Sequence, residues 1–110
     1  MRGEYQRQAS KMRFVVTANG SSGFPAEMDR YHLYVSYACP WAHRTILFRA
    51  IKGLESVVGI TTANPVRIDN IWSFDTDYPD PINNFNSLKE PYLATDPSYA
   101  ARFTVPILWD

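Results

Sequence analysis

The sequence holds one cysteine, Cys39, and only two histidines in its 110 residues. A lone cysteine excludes an internal disulfide, and His32 and His43 with it fit no familiar zinc-ligand spacing, so no metal is expected. Charge of neither sign dominates. Eleven Lys and Arg balance eleven Asp and Glu, which leaves no basic field to grip nucleic acid or anionic lipid by electrostatics alone. Long apolar runs are also missing: nothing approaches the roughly 20 residues of a membrane span, and the opening from Met1 to Arg13 lacks the apolar stretch of a secretory signal. The cytosol is the expected address. Because that opening is rich in Arg and poor in acids, a mitochondrial leader is the alternative. There is no internal repeat and no low-complexity tract. At 45% hydrophobic and 20% charged residues, the chain has the composition of one globular domain, long enough to bury roughly two thirds of its unfolded surface without staples.

Residues 1–30 are polar and turn-rich, with Asn19, Gly20, Ser21, Ser22, Gly23 and Pro25 clustered together, and predict an irregular arm. Asn19-Gly20-Ser21 matches a glycosylation sequon but fits an ordinary turn better. Tyr31 to Tyr37 is aromatic and β-branched, a strand composition. Pro40 then suits the first turn of a helix, where its missing N–H would be unpaired in any case, and Gly53 suits its end. On this helix Thr45, Arg49 and Lys52 form a narrow polar stripe and apolar side chains fill the remainder, which predicts a largely buried helix. Val57 to Thr62 reads as the next strand, so strand, helix and strand make a right-handed βαβ unit with parallel strands. From Ala63 to Ser87 no period is sustained, and Asp75, Asp77 and Asp80 read as a solvated acidic loop. Between Leu88 and Arg102, Pro91 is expected to block a continuous helix, and Asp96-Pro97 looks like an N-cap followed by a first-turn proline. Phe103 to Trp109 reads as a strand containing Pro106, which must stand at its start, on an edge, or as a cis peptide.

The chemistry points to Cys39. It follows a strand and opens a helix, where exposed backbone N–H groups and the positive end of the helix dipole stabilise a thiolate, a nucleophile at neutral pH. The position three residues on is Ala42, so there is no resolving cysteine, and any mixed disulfide must be resolved by an external thiol. His43 lies four residues on, about 40° around the helix, and reads as a helix-face residue near the thiol. The competing reading is a buried, inert cysteine.

The run Arg30 to Arg44, with Tyr37-Ala38-Cys39-Pro40-Trp41-Ala42-His43 at its centre, resembles the glutathionyl-hydroquinone reductases, the omega-like or xi-class glutathione S-transferases. Gly20-Ser21-Ser22-Gly23-Phe24-Pro25, Asn64-Pro65, Trp72-Ser73-Phe74-Asp75, Asp96-Pro97 and Arg102 to Asp110 extend the likeness in order. The resemblance implies an α/β, thioredoxin-like glutathione-binding domain over residues 31–110, with the βαβ unit and the start of the following hairpin. It also implies a cut before the last strand and helix, and the absence of a helical domain that completes the aromatic-substrate pocket in a homodimeric family. It further implies glutathione as co-substrate and glutathionylated quinols as partners, with Cys39 as nucleophile. Trp72 contacts glutathione on this view, Arg102 meets one of its carboxylates, Val105 pairs with its backbone, and Pro106 is cis. The expected activity is reduction of glutathionyl-hydroquinones through a Cys39 mixed disulfide. The alternatives are an omega-type thiol transferase or dehydroascorbate reductase, and a non-catalytic fragment of such an enzyme. Pro91 departs from the family, which continues a helix there.

Overall fold

The computed structural model describes residues 9–110; residues 1–8, where most of the weighed leader lies, fall outside the described residues. The arm is irregular as expected, but it is tied. Thr17 receives the Ala26 N–H on its carbonyl and donates its own to Phe24, at 3.0 and 2.9 Å, and Phe14 and Phe24 pack with ring centroids 5.4 Å apart. Asn19 accepts the Ser21 N–H at 3.1 Å, the side-chain turn its sequence suggests.

Three strands and two helices follow: β1 (His32–Val35), α1 (Pro40–Ile51), β2 (Gly59–Thr62), α2 (Lys89–Thr95) and β3 (Ile107–Trp109). The sheet order is β2-β1-β3. β1 runs parallel to β2, pairing Leu33 with Ile60, and antiparallel to β3, pairing Leu33 with Leu108. As the middle strand it is bonded on both edges, and Leu33, Tyr34 and Val35 are all buried. Ala42, Ala63, Trp72, Phe74, Leu88 and Val105 complete the core. This is the α/β, thioredoxin-like arrangement the sequence predicts. Among the described residues no helix is long and apolar enough to cross a membrane.

Helix α1 begins at Pro40 and ends where Gly53 turns left-handed, φ +66°, handing its N–H to Ala50 at 3.1 Å. Its burial corrects the sequence expectation. Of its residues only Ala42 is buried, while Trp41 is 62% and Ile51 74% exposed. The predicted polar stripe is partly turned inward instead. Arg49 donates to the Val58 carbonyl at 2.7 Å and to that of Glu55 at 3.1 Å, pinning the turn that enters β2. Apolar side chains opposite that anchor are left on the surface because an amphipathic pattern marks two faces without saying which one is covered.

The proline-bearing segment also differs from expectation. Pro91 is the third residue of a single helix, α2, inside the first turn where a helix has no use for its N–H. Asp96 caps the end of that helix, giving its N–H to Tyr92 at 2.9 Å, and does not open a second one. Its carboxylate accepts from Ser98 N–H and hydroxyl at 3.0 and 2.7 Å, closing a turn.

The acidic loop is not uniformly solvated either. Asp80 is buried and accepts from the Tyr34 hydroxyl at 3.1 and 3.0 Å, from Ile82 N–H at 3.0 Å and from Phe85 N–H at 3.2 Å. Asn83 in turn donates to the Tyr34 oxygen at 3.1 Å. Asp75 is held below the usual carboxylate range by the Asn64 amide at 2.9 Å and by the Tyr78 and Asp77 N–H groups. Behind Tyr34, His32 meets the Thr61 hydroxyl at 2.6 Å. Gly59 makes room for that ring: a β-carbon there would lie 2.6 Å from His32 Nδ1.

Two outcomes follow from this fold. β3 has an unpaired outer edge among the described residues, bearing half-exposed Leu108, and such edges recruit further strands. The chain is therefore expected to self-associate with rising concentration in size-exclusion chromatography; a concentration-independent monomer would contradict this. Burial raises the Tyr34 hydroxyl from its ordinary value to about 12. A value raised by folding stabilises fully below about pH 10, where the unfolded chain still holds the proton, and that stabilisation is lost as pH rises from about 10 towards 12. Urea midpoints should fall over that window in the parent chain and fall less in Tyr34→Phe.

Candidate functional site

The site is built where β1 runs out. Ser36 is completely buried. Its hydroxyl accepts the Ala38 N–H at 3.3 Å and its carbonyl accepts the Cys39 N–H at 3.1 Å, so the chain is folded tightly between strand and helix. Cys39 then occupies the N-cap of α1 in extended backbone, φ −101° and ψ 118°, and its carbonyl receives the His43 N–H at 3.1 Å. No side chain caps this helix. The cysteine therefore sits against first-turn N–H groups that have no intrahelical acceptor.

Across from Cys39 stands the turn that enters β3. The thiol Sγ lies 3.9 Å from the carbonyl oxygen of Val105, a contact spanning 66 residues. The Val105-Pro106 bond is cis, which selects the third of the placements the sequence allows for Pro106. Val105 is buried and Pro106 half-buried. This turn is held by Tyr92, whose hydroxyl donates to the Thr104 carbonyl at 2.7 Å and accepts the Thr104 N–H at 3.3 Å. Tyr99 and Phe103 pack on the same ring, with centroids 4.7 and 5.5 Å away.

Trp72 reaches the site from the irregular excursion. Ala63 N–H bonds the Val35 carbonyl at 2.8 Å, Asn64 N–H the Ser73 carbonyl at 2.9 Å, and Leu88 N–H the Trp72 carbonyl at 2.9 Å. Trp72 is thereby fixed beside the carboxyl end of the parallel pair, in the buried cluster against which Cys39 also packs. Open parallel sheets bind ligands at this end of their strands.

The structure thus brings Cys39 to the Val105-Pro106 turn, and Trp72 belongs to the buried cluster against which Cys39 packs. Arg102 is exposed and lines a cleft of about 790 Å³ between the arm, α2 and β3, which Thr104 and Pro106 also line and Cys39 and Trp72 do not. Pro106 borders both that cleft and a smaller hollow of about 380 Å³ against Trp41, Arg44, Thr45 and Phe48. His43 is exposed on α1, as a helix-face residue should be. Among the described residues no three His, Cys, Asp or Glu side chains converge as metal ligands. Sequence reasoning missed Ser36 and Tyr92. Ser36 carried a weak signal, a small polar residue ending a strand just before Cys39; Tyr92 carried none, because its partner Thr104 belongs to another element.

No protein-family model matches the chain. Glutathionyl-hydroquinone reductase YqjG of Escherichia coli is 47% identical over 118 residues, covering 98% of this chain and 36% of the relative. Glutathionyl-hydroquinone reductase PcpF of Sphingobium chlorophenolicum is 43% identical over 111 residues, covering 98% and 34%. Among solved structures, the xi glutathione S-transferase of Phanerochaete chrysosporium superposes with a TM-score of 0.87 at 45% identity, covering 96% of this chain and 37% of the other. The glutathione-bound structure of YqjG gives 0.82 at 46% identity, covering 86% and 34%. The chain spans about a third of the length of the curated relatives it matches.

The Tyr92 hydroxyl couples α2 to the turn that faces the thiol. Tyr92→Phe should lower unfolding free energy by about 1–2 kcal/mol, because it leaves the Thr104 backbone groups without their partner. It should also change the rate of Cys39 alkylation by iodoacetamide at least about twofold, read by mass spectrometry; an unchanged rate would dissociate the hydroxyl from the site.

Proposed function

We propose that the chain is part of a xi-class, omega-like glutathione S-transferase, whose members it matches at 43–47% identity over about a third of their length, and that it carries the glutathione site and the reactive thiol of a glutathionyl-hydroquinone reductase acting in the cytosol. The observation that best supports this is the placement of Cys39. It is the one cysteine of the sequence, set at the N-cap of α1 and 3.9 Å from the carbonyl beside the cis proline.

In the proposed reaction the Cys39 thiolate attacks the sulfur of a glutathionyl-hydroquinone. An S–S bond forms between Cys39 and glutathione as the carbon–sulfur bond breaks, and its electron pair stays on the ring carbon, which takes a proton to give the hydroquinone. A second glutathione thiolate attacks the mixed disulfide, releasing glutathione disulfide and restoring the Cys39 thiolate. Two glutathione sulfurs, the thioether of the conjugate and the thiol of the second glutathione, each lose one electron, and one ring carbon is reduced by two. The lack of a resolving cysteine agrees with this course, since only an external thiol can complete it.

For glutathione binding, the Val105 backbone is proposed to pair with the cysteinyl part of the tripeptide. Pro106 holds that backbone in a reversed direction and supplies no N–H to compete for it. Trp72 forms one wall of the site, and Arg102 is assigned to a glutathione carboxylate. The aromatic substrate would lie along an exposed face of α1, where Trp41 and Phe48 offer apolar surface.

Steady-state assays with glutathione should show turnover of a menadione-derived glutathione conjugate and loss of at least about a thousandfold in Cys39→Ser, while His43→Ala stays within about threefold of the parent. Retention of activity in Cys39→Ser would overturn every thiol-transfer reading. Faster turnover of a small glutathione mixed disulfide than of the quinone conjugate would instead assign an omega-type thiol transferase.

A further inference from the structure

We propose that Arg67 binds the glycyl carboxylate of glutathione, an assignment that rests on the glutathione site described above. The Arg67 guanidinium carbon stands 5.3 Å from the centroid of the Trp72 ring. Its side chain is exposed, and among the described residues both ion pairs are made by a different arginine, Arg30. The contrast with the other arginines is informative. Arg30 is forked onto Asp110 at 2.7 and 2.9 Å, and Arg49 is spent on two backbone carbonyls. Arg67 makes no hydrogen bond to any described residue. A guanidinium held over an indole by cation–π attraction makes no hydrogen bond to the ring plane's edge, so its N–H donors stay available for a carboxylate, which a guanidinium takes through two parallel bonds.

The local backbone explains why this cation lies over Trp72. Ile68 and Ile71 exchange both backbone hydrogen bonds, at 3.0 and 2.9 Å, around Asp69 and Asn70, both left-handed with φ of 52° and 62°. This two-residue hairpin brings position 67 back beside position 72. The platform beneath is rigid: Trp72 is 8% exposed and its carbonyl is bonded to Leu88 N–H. It stands at the carboxyl end of β1 and β2, in the cluster against which Cys39 packs.

Glutathione has two carboxylates, and the chemistry around Arg67 selects between them. The γ-glutamyl carboxylate shares its carbon with an ammonium group, which a guanidinium repels and which needs an acid nearby. Arg67 has no acidic partner within ion-pair distance among the described residues. The glycyl carboxylate carries no ammonium and fits a lone cation.

Isothermal titration calorimetry of the chain with glutathione and with its glycyl monoethyl ester tests this. The parent should bind glutathione about tenfold more tightly than the ester, the effect of one charge-assisted pair. Arg67→Met should weaken glutathione about tenfold and leave the ester unchanged, so that the discrimination disappears, with Arg67→Lys in between. Equal binding of glutathione by parent and Arg67→Met overturns the proposal, as does equal binding of glutathione and ester by the parent. Equal loss of both ligands in Arg67→Met also overturns it, because it marks a structural role. If the parent binds neither ligand, the glutathione site itself falls and this assignment falls with it.

Discussion

Tyr34 sits in the middle strand with no exposed surface, and its hydroxyl cannot be left there without a partner. A buried hydroxyl with nothing to bond costs about 1–3 kcal/mol, so the fold must bring an acceptor to it. The acceptor comes from 46 residues away. Asp80 arrives on an excursion with no regular structure, turned inward by bonds to Ile82 and Phe85 N–H, and Asn83 closes the network from the other side. Once Asp80 is fixed, the segment before it has to run along the sheet, with Phe74 edge-on to the Tyr34 ring at 5.6 Å. Trp72 is thereby delivered to the end of β2. The polar network is fully satisfied, which is when such networks specify one arrangement and not several.

That dependence explains what could and could not be seen in the residues. The start of α1 was legible because Pro40 and Cys39 act locally: a proline fits the first helical turn wherever it occurs. The cis bond at Pro106 was legible as one of three outcomes, since a ladder position was excluded outright. Asp80 was not legible. Three aspartates close in sequence look like a solvated loop, and only the distant Tyr34 distinguishes the one that is buried. The exposure of α1 failed for a related reason, because periodicity separates faces but does not name the partner that covers them. Asp96-Pro97 carries the same two residues whether it begins a helix or ends one, and here Tyr92, already helical, claimed the Asp96 N–H.

The candidate site inherits its precision from these packing decisions. Cys39 is placed by the end of β1, Val105 by Tyr92 on α2, and Trp72 by the Asp80 excursion, so three segments distant in sequence converge on one end of the sheet. Each is braced by a buried or half-buried neighbour. Pro91, the departure from the family pattern, costs little because it falls within the first turn of α2, directly before the tyrosine that steadies the thiol-facing turn.

The strand order carries a consequence for how the chain folds. His32 and Thr61, joined across β1 and β2, are 29 residues apart, whereas Arg30 and Asp110, joined at the far end of β3, are 80 apart. Closing the longer loop costs only about 0.9 kcal/mol more in chain entropy. The difference in timing is larger than that figure suggests. A chain emerging from the ribosome can complete the parallel pair and its helix while β3 is still unmade. The thiol would then be mounted on its helix early, and the carbonyl that faces it would be supplied afterwards.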